Sequence, residues 1–207
     1  MPRRFRPLLC LFLIAAAVTT GRAQSRATRP PARKTSTQMT CAEDLGLGVA
    51  SKRHFCDVIV ASVAADSVSV AIPPHTGTAT LMFDLHNRFT VPAGTVDPFQ
   101  SFTRQTAVVA VIRQTGEAID RAAVSRDYRT PSDLFDRIAG SGRSAAPKAD
   151  APGAPQPIKV TIPAGIGTVG IVGSRLEEWR ASGRGAYDEP GRAIAIVSNV
   201  RVEYIPR

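Results

Sequence analysis

Two-residue alternation of apolar and polar positions dominates the chain from Asp57 onward, the pattern of strands with one buried face. The stretch DVIVASVAADSVSVAI carries two short apolar runs, Val58–Val63 and Val68–Ile72, on either side of Ala64, Ala65, Asp66 and Ser67, and predicts a hairpin. Pro73 and Pro74 end it, because neither proline can donate to a ladder. In TATLMFDLHNRF, Leu81, Phe83 and Leu85 share one face while Thr80, Met82, Asp84 and His86 share the other. TAVVAVIRQ follows, Thr115 and Gly116 make a turn, and EAIDRAAVSRDYRT supplies the return strand. IKVTI, TVGIVG and RAIAIVSNVRVEYI are the closing runs. The last of them sets Asn199, Arg201 and Glu203 on one side and Val200, Val202 and Tyr204 on the other.

One short helix is expected over 131–140. Thr130 or Ser132 can cap its free N–H groups, Pro131 suits the first turn, and Gly140 ends the run LFDRIA. Residues 141–157, SGRSAAPKADAPGAPQP, hold four prolines and no large apolar side chain, so they predict a loop. Many short strands with Gly and Pro breaks define an all-β chain: an antiparallel β-sandwich, jelly-roll or immunoglobulin-like. It forms one domain over 41–207, interrupted by that loop. Such an architecture carries no function by itself.

Charge changes the picture only at the N-terminus. The chain has 207 residues, 26 Lys+Arg and 17 Asp+Glu, a formal +9. Residues 1–23 combine Arg3, Arg4 and Arg6 with an apolar run over 8–18 and end on Gly21-Arg22-Ala23. That is the layout of a secretory signal peptide, and the run is shorter than the about 20 residues a membrane span needs. Residues 24–40 add four more basic residues and no acid, and predict a disordered basic tether able to touch anionic surfaces weakly. What remains, 41–207, has 18 basic against 17 acidic residues. A near-neutral body argues against a nucleic-acid partner. Arginine outnumbers lysine 22 to 4, a bias found in GC-rich bacterial genomes. The expected location is outside the cytosol, periplasmic or secreted.

Cysteine usage fits that location. Cys10 leaves with the leader, and Cys41 and Cys56 remain as an even pair, which in an exported chain predicts a disulfide. His54 lies two residues before Cys56, so a zinc site of two cysteines and one histidine can also be drawn, but without a fourth ligand.

Three groupings invite chemistry. Gly165, Gly167 and Gly170 fit a dinucleotide-binding fingerprint, with IVGSRLEEWRASG as its helix, but Pro163 and Ala164 separate the strand from the first glycine. The plainer expectation there is a glycine-rich strand pair. Asp84 and His86 share a strand face and, with His75, could form a polar cluster that binds a metal or pairs a base with its orienting carboxylate. Alternation alone would make the same residues an exposed polar face. Trp179 and Tyr187, flanked by Glu177, Glu178, Asp188 and Glu189, are candidates for contacting a sugar. No nucleophile declares itself, and nothing calls for a cofactor or a resident metal. The leading expectation is therefore a non-catalytic exported sandwich that binds a partner protein or an envelope polymer or glycan. The alternatives are an envelope hydrolase or metal-dependent enzyme using Asp84 and His86, and a structural subunit of a surface assembly.

Overall fold

The computed structural model describes residues 30–89, 103–139 and 148–207. In chain order the strands are β1 (Arg33–Ser36), β2 (Met39–Thr40), β3 (Glu43–Leu47), β4 (His54–Ile59), β5 (Val68–Ala71), β6 (Ala79–Asn87) and β7 (Thr103–Ile112). They continue with β8 (Ala118–Tyr128), β9 (Leu134–Ile138), β10 (Ala149–Pro152), β11 (Gln156–Ile162), β12 (Thr168–Arg180), β13 (Gly183–Tyr187) and β14 (Ala193–Tyr204). The first sheet runs β11-β6-β14-β4-β3 with β1 also on β14. The second runs β2-β5-β12-β7-β8, with β13 also on β12. Every strand pairing is antiparallel. The two sheets pack as a sandwich, which is the expected fold class.

The inner faces supply one continuous core. Leu81, Phe83 and Leu85 of β6 meet Val109 and Val111 of β7 and Ile171 of β12, all buried. The alternation survives because two bulges reset it. In β14 the register shifts between Ser198 and Arg201, with Asn199 in the left-handed region at φ 55. Ala195 and Val197 face the core before the bulge, and Val200 and Val202 after it. The extra residue turns Asn199 out of the ladder and switches the buried positions from odd to even. A second shift between Gly173 and Arg175 does the same in β12, moving burial from Val169 and Ile171 to Leu176.

A third layer is small. β9 and β10 pair with each other and lie over the outer face of the first sheet. Asp136 of β9 fastens this ribbon by accepting the backbone N–H groups of Ala50 and Ser51 at 2.9 Å each. A Cβ on Gly48 would fall onto the Asp136 carboxylate and the Phe55 ring, so this turn tolerates only glycine at its closest approach. Burial would raise the acid strength midpoint of Asp136. Hydrogen bonds from the Ser51 hydroxyl and from the backbone of Ala50, Ser51 and Arg137 outweigh that and hold it below the usual carboxylate range.

Several expectations are corrected. In place of a helix over 131–140 there is a 3-10 turn, Pro131–Asp133, followed by strand β9. Asp133 caps the turn by accepting the N–H groups of Arg129 and Thr130. A two-turn helix is too short to hold itself, and the ladder to β10 satisfies the same backbone. The expected loop over 141–157 contributes β10 and the start of β11; 140–147 lie outside the described residues. The tether expected over 24–40 pairs from Arg33 onward, through β1 on β14 and β2 on β5. Main-chain pairing at a sheet edge needs no apolar side chain, and composition could not reveal it. The hairpin expected over 58–72 is a crossover: β4 lies in the first sheet and β5 in the second, joined through a 3-10 turn at Ala64–Asp66. The signal peptide expected over 1–23 lies outside the described residues.

Candidate functional site

Cys41 and Cys56 are joined by a disulfide, with Cα atoms 5.2 Å apart. Cys56 is buried in the core, and the bond ties the start of β4 to the segment between β2 and β3. A chain-entropy estimate for a loop of this size is about 3 kcal/mol. Such bonds form and persist in oxidising surroundings. His54 lies beside both sulfurs, and these three residues are the one grouping among the described residues within metal-ligand reach. With the sulfurs bonded to each other, the imidazole is the donor left, and its Nε2 sits 2.9 Å from Asp44 Oδ1.

The structure divides the polar cluster His75, Asp84 and His86. His75 is buried at the Ile162 end of the β6–β11 ladder, with Nδ1 2.9 Å from the Pro73 carbonyl oxygen. Asp84 and His86 lie toward the other end, on the outer face of the first sheet and beneath the ribbon. They are 9% and 1% exposed, so this polar face is not a solvated one. Asp84 Oδ2 accepts Arg53 Nη1 at 2.7 Å and Asn199 Nδ2 at 2.9 Å. Arg53 and Asn199 reach the surface from there and line a cavity of about 320 Å³. His86 pairs its Nε2 with Ser198 Oγ at 3.0 Å and rests its ring against Phe55 and Phe135. Its Nδ1 is buried with no hydrogen-bond partner. Burial among these rings, only partly opposed by the Asp84 carboxylate, pushes its pKa down to about 4. Asp57, on the same face, is pushed up to about 6 by burial despite its 2.7 Å ion pair with Arg88. Ile196 stands between the two groups, paired with Asp57 on one side and His86 on the other.

The outer face of the second sheet has a different character. Registry places Arg184 of β13, Trp179 of β12, Arg104 of β7 and Asp127 of β8 in one cross-strand row. Trp179 is 46% exposed, and the Arg184 guanidinium lies 4.7 Å from its ring centre. Tyr187 pairs with Leu176, three residues from Trp179, and so faces the other way. It packs partly against the core with the Arg192 guanidinium 3.7 Å from its ring centre. The two aromatic candidates thus do not form one platform. Glu177 and Glu178 separate for the same reason: Glu177 is on the outer face, while Glu178 is buried and accepts Gln105 Nε2 and Arg180 Nη2 at 2.9 Å each. The acids flanking Trp179 therefore do not converge as a hydrolytic pair.

Sequence reading missed the arginines of this face. Arg175 and Arg184 both reach Glu177, at 3.1 and 3.0 Å. Arg104 and Arg129 both reach Asp127, at 2.7 and 3.4 Å. The Arg104 hydrogen bond, aided by Arg129, holds Asp127 below the usual carboxylate range. The near-neutral charge of residues 41–207 concealed the grouping, since only strand registry brings these positions together. The dinucleotide fingerprint also dissolves. Gly165 is a positive-φ turn residue, Gly170 packs against Ser67 and Ile112, and IVGSRLEEWR is strand β12 rather than a helix.

No protein-family model and no curated protein matches this chain. Among solved structures, it is similar to the VP2 subviral particle of infectious bursal disease virus, at 11% identity and a TM-score of 0.23. The match covers 87% of this chain, which spans 42% of the viral one.

Proposed function

We propose that this protein is an exported, non-catalytic β-sandwich that binds an envelope polymer or glycan on the outer face of its second sheet. The observation that carries the reading is Trp179: a large aromatic ring, 46% exposed, on the outer face of the second sheet, away from the end where the β4–β5 crossover covers Ala110, Ile112 and Val172. Burying such a ring would stabilise the fold, so leaving it in water suits a ring that acquires its partner later. The leader-like N-terminus and the disulfide support export. The enzyme reading has less support, because a substrate would have to displace the β9–β10 ribbon to touch His86.

The test is capture from envelope extract with the full chain and with Trp179→Ala. The reading expects a glycan-containing polymer on the native protein and its loss from the variant. Equal capture by both overturns it. One observation favours the assembly reading as a second possibility: β8 is an eleven-residue strand at the end of its sheet, the kind of edge that can accept a further strand. Light scattering over rising concentration tests it, and a strict monomer counts against it.

A further inference from the structure

His54 stands two residues before Cys56 on β4, so alternation puts both side chains on one face of the strand. Cys41 reaches the same point from the segment between β2 and β3. Both sulfurs and one ring nitrogen of His54 lie within 4.8 Å of one another. The imidazole is also held from behind. Its Nε2 is 2.9 Å from Asp44 Oδ1, and that oxygen accepts the Gly46 N–H at 2.7 Å. A carboxylate against one ring nitrogen is the usual support of a metal-bound histidine. A neutral imidazole that donates its Nε2 proton to Asp44 keeps a lone pair on Nδ1. The group is within reach of solvent: the His54 side chain is 42% exposed and lines the cavity of about 320 Å³ that Arg53 and Asn199 share. Cys41 is half-buried, whereas Cys56 is sealed in the core.

We infer that the disulfide masks a zinc site: in the dithiol state Cys41, Cys56 and His54 bind one zinc ion, with Asp44 orienting the imidazole. Two thiolates and an imidazole are donors that zinc takes at about 2.3 Å from sulfur and about 2.0 Å from nitrogen, and a water from the cavity side completes the tetrahedron. The site opens by thiol–disulfide exchange with a dithiol reductant. One thiolate of the reductant attacks Cys41 Sγ, the more accessible sulfur; the S–S bond breaks and Cys56 leaves as thiolate. The second thiol of the reductant then attacks its own sulfur in the mixed disulfide and releases Cys41. The reductant ends as a disulfide, the protein has gained two electrons and two protons, and zinc displaces those protons when it binds. Tetrahedral binding needs the sulfurs to part to about 3.8 Å. Cys56 is fixed within β4, but Cys41 lies outside every strand, so the shift falls on a residue that no ladder holds. Calcium and magnesium take oxygen donors and do not suit this set.

The experiment uses the full chain with Cys10→Ser, which leaves Cys41 and Cys56 as the two cysteines. One sample is kept oxidised; the other is reduced with a dithiol and desalted without oxygen. Each is titrated with zinc chloride against a chromophoric zinc indicator, and with cobalt chloride as a spectroscopic probe. The reduced chain is expected to bind one zinc, at least about a thousandfold more tightly than the oxidised chain. Its cobalt form should show thiolate-to-metal charge transfer and the visible bands of a four-coordinate ion. His54→Ala should weaken zinc binding about a hundredfold, and Asp44→Asn about tenfold with an unchanged cobalt spectrum. Melting curves of the oxidised variants show that they are folded. Zinc should raise the melting temperature of the reduced chain and leave that of the oxidised chain alone, a readout that survives even if reduction loosens the fold. No tight zinc binding after reduction, equal binding by the oxidised chain, full affinity in His54→Ala, or equal competition by calcium would each overturn the site. A changed cobalt spectrum in Asp44→Asn would overturn the orienting role given to Asp44.

Discussion

The two sheets present outer faces that look alike in sequence and end in opposite environments. On the first sheet, Asp57, Asp84, His86 and Ser198 alternate with core residues, yet none is more than 9% exposed because the β9–β10 ribbon and its neighbours cover them. On the second sheet, Arg104, Arg175, Glu177 and Trp179 alternate with core residues in the same way and stay in solvent. The same period-two pattern therefore produced a sealed polar layer in one place and a charged, aromatic surface in the other. Polar alternation identifies the side of a strand that avoids the main core. It does not say whether that side meets water.

The comparison breaks most directly at Phe55, which is fully buried between the first sheet and the ribbon. Phe55→Ala should cost about 4 kcal/mol, the usual range for deleting a buried aromatic ring, measured by denaturant unfolding. A loss below about 1 kcal/mol would mean that the ribbon does not seal this face.

The next largest effects depend on pH, and two groups on the covered face oppose each other. Asp57, raised from 3.8 to about 6, keeps its proton in the folded protein where the unfolded chain has lost it, so its contribution to stability falls as pH rises from about 4 to 6. His86, lowered from 6.5 to about 4, refuses a proton that the unfolded chain accepts, so its contribution is complete above 6.5 and is lost as pH falls toward 4. Each is worth about 3 kcal/mol across its window. Together they should nearly cancel between pH 4 and 6. Asp57→Asn should then leave stability that climbs with pH, and His86→Phe stability that declines with it. Unfolding curves at unit pH steps check this, and parallel profiles for the two variants would contradict it.

Asp136→Ala removes the acceptor that fastens the ribbon and should cost about 2 kcal/mol. Hydrogen exchange should show faster opening in β9 and β10 than in β7 and β12; uniform acceleration would argue that the ribbon is not a separate layer. The smallest effect is expected on the bare face. Trp179→Ala should change stability by no more than about 0.5 kcal/mol. A thermal shift well beyond that would show the ring to be part of the packing rather than of the surface.

Much of the fold was legible because strands with one buried face repeat every two residues. Leu81, Phe83 and Leu85, the β7–β8 hairpin and Val200 and Val202 of β14 all followed from alternation. The disulfide was legible because two cysteines, Cys41 and Cys56, lie outside the segment expected to be a leader. The errors have particular causes. LFDRI has the spacing of a short helix and the composition of a strand, and only β10, drawn from a proline-rich segment that looked unfit to pair, decided between them. Arg33–Ser36 carries no apolar signal, yet the edge of β14 gives its backbone a partner. The candidate site suffered most. His75 and Asp84 are near in sequence and far along the ladder, Trp179 and Tyr187 are separated by the parity of one strand pair, and Arg104, Trp179 and Arg184 meet only through registry.

The amino-acid sequence determined by itself that the chain forms strands, which side of each strand seeks the core, and which two cysteines can bond. These are local properties, set by side-chain period and composition. Tertiary structure alone decided which polar faces are covered, where a bulge switches burial from odd to even positions, and which arginines surround Trp179. Those outcomes depend on strand order and register, which join residues far apart in the chain through backbone hydrogen bonds that no side chain announces.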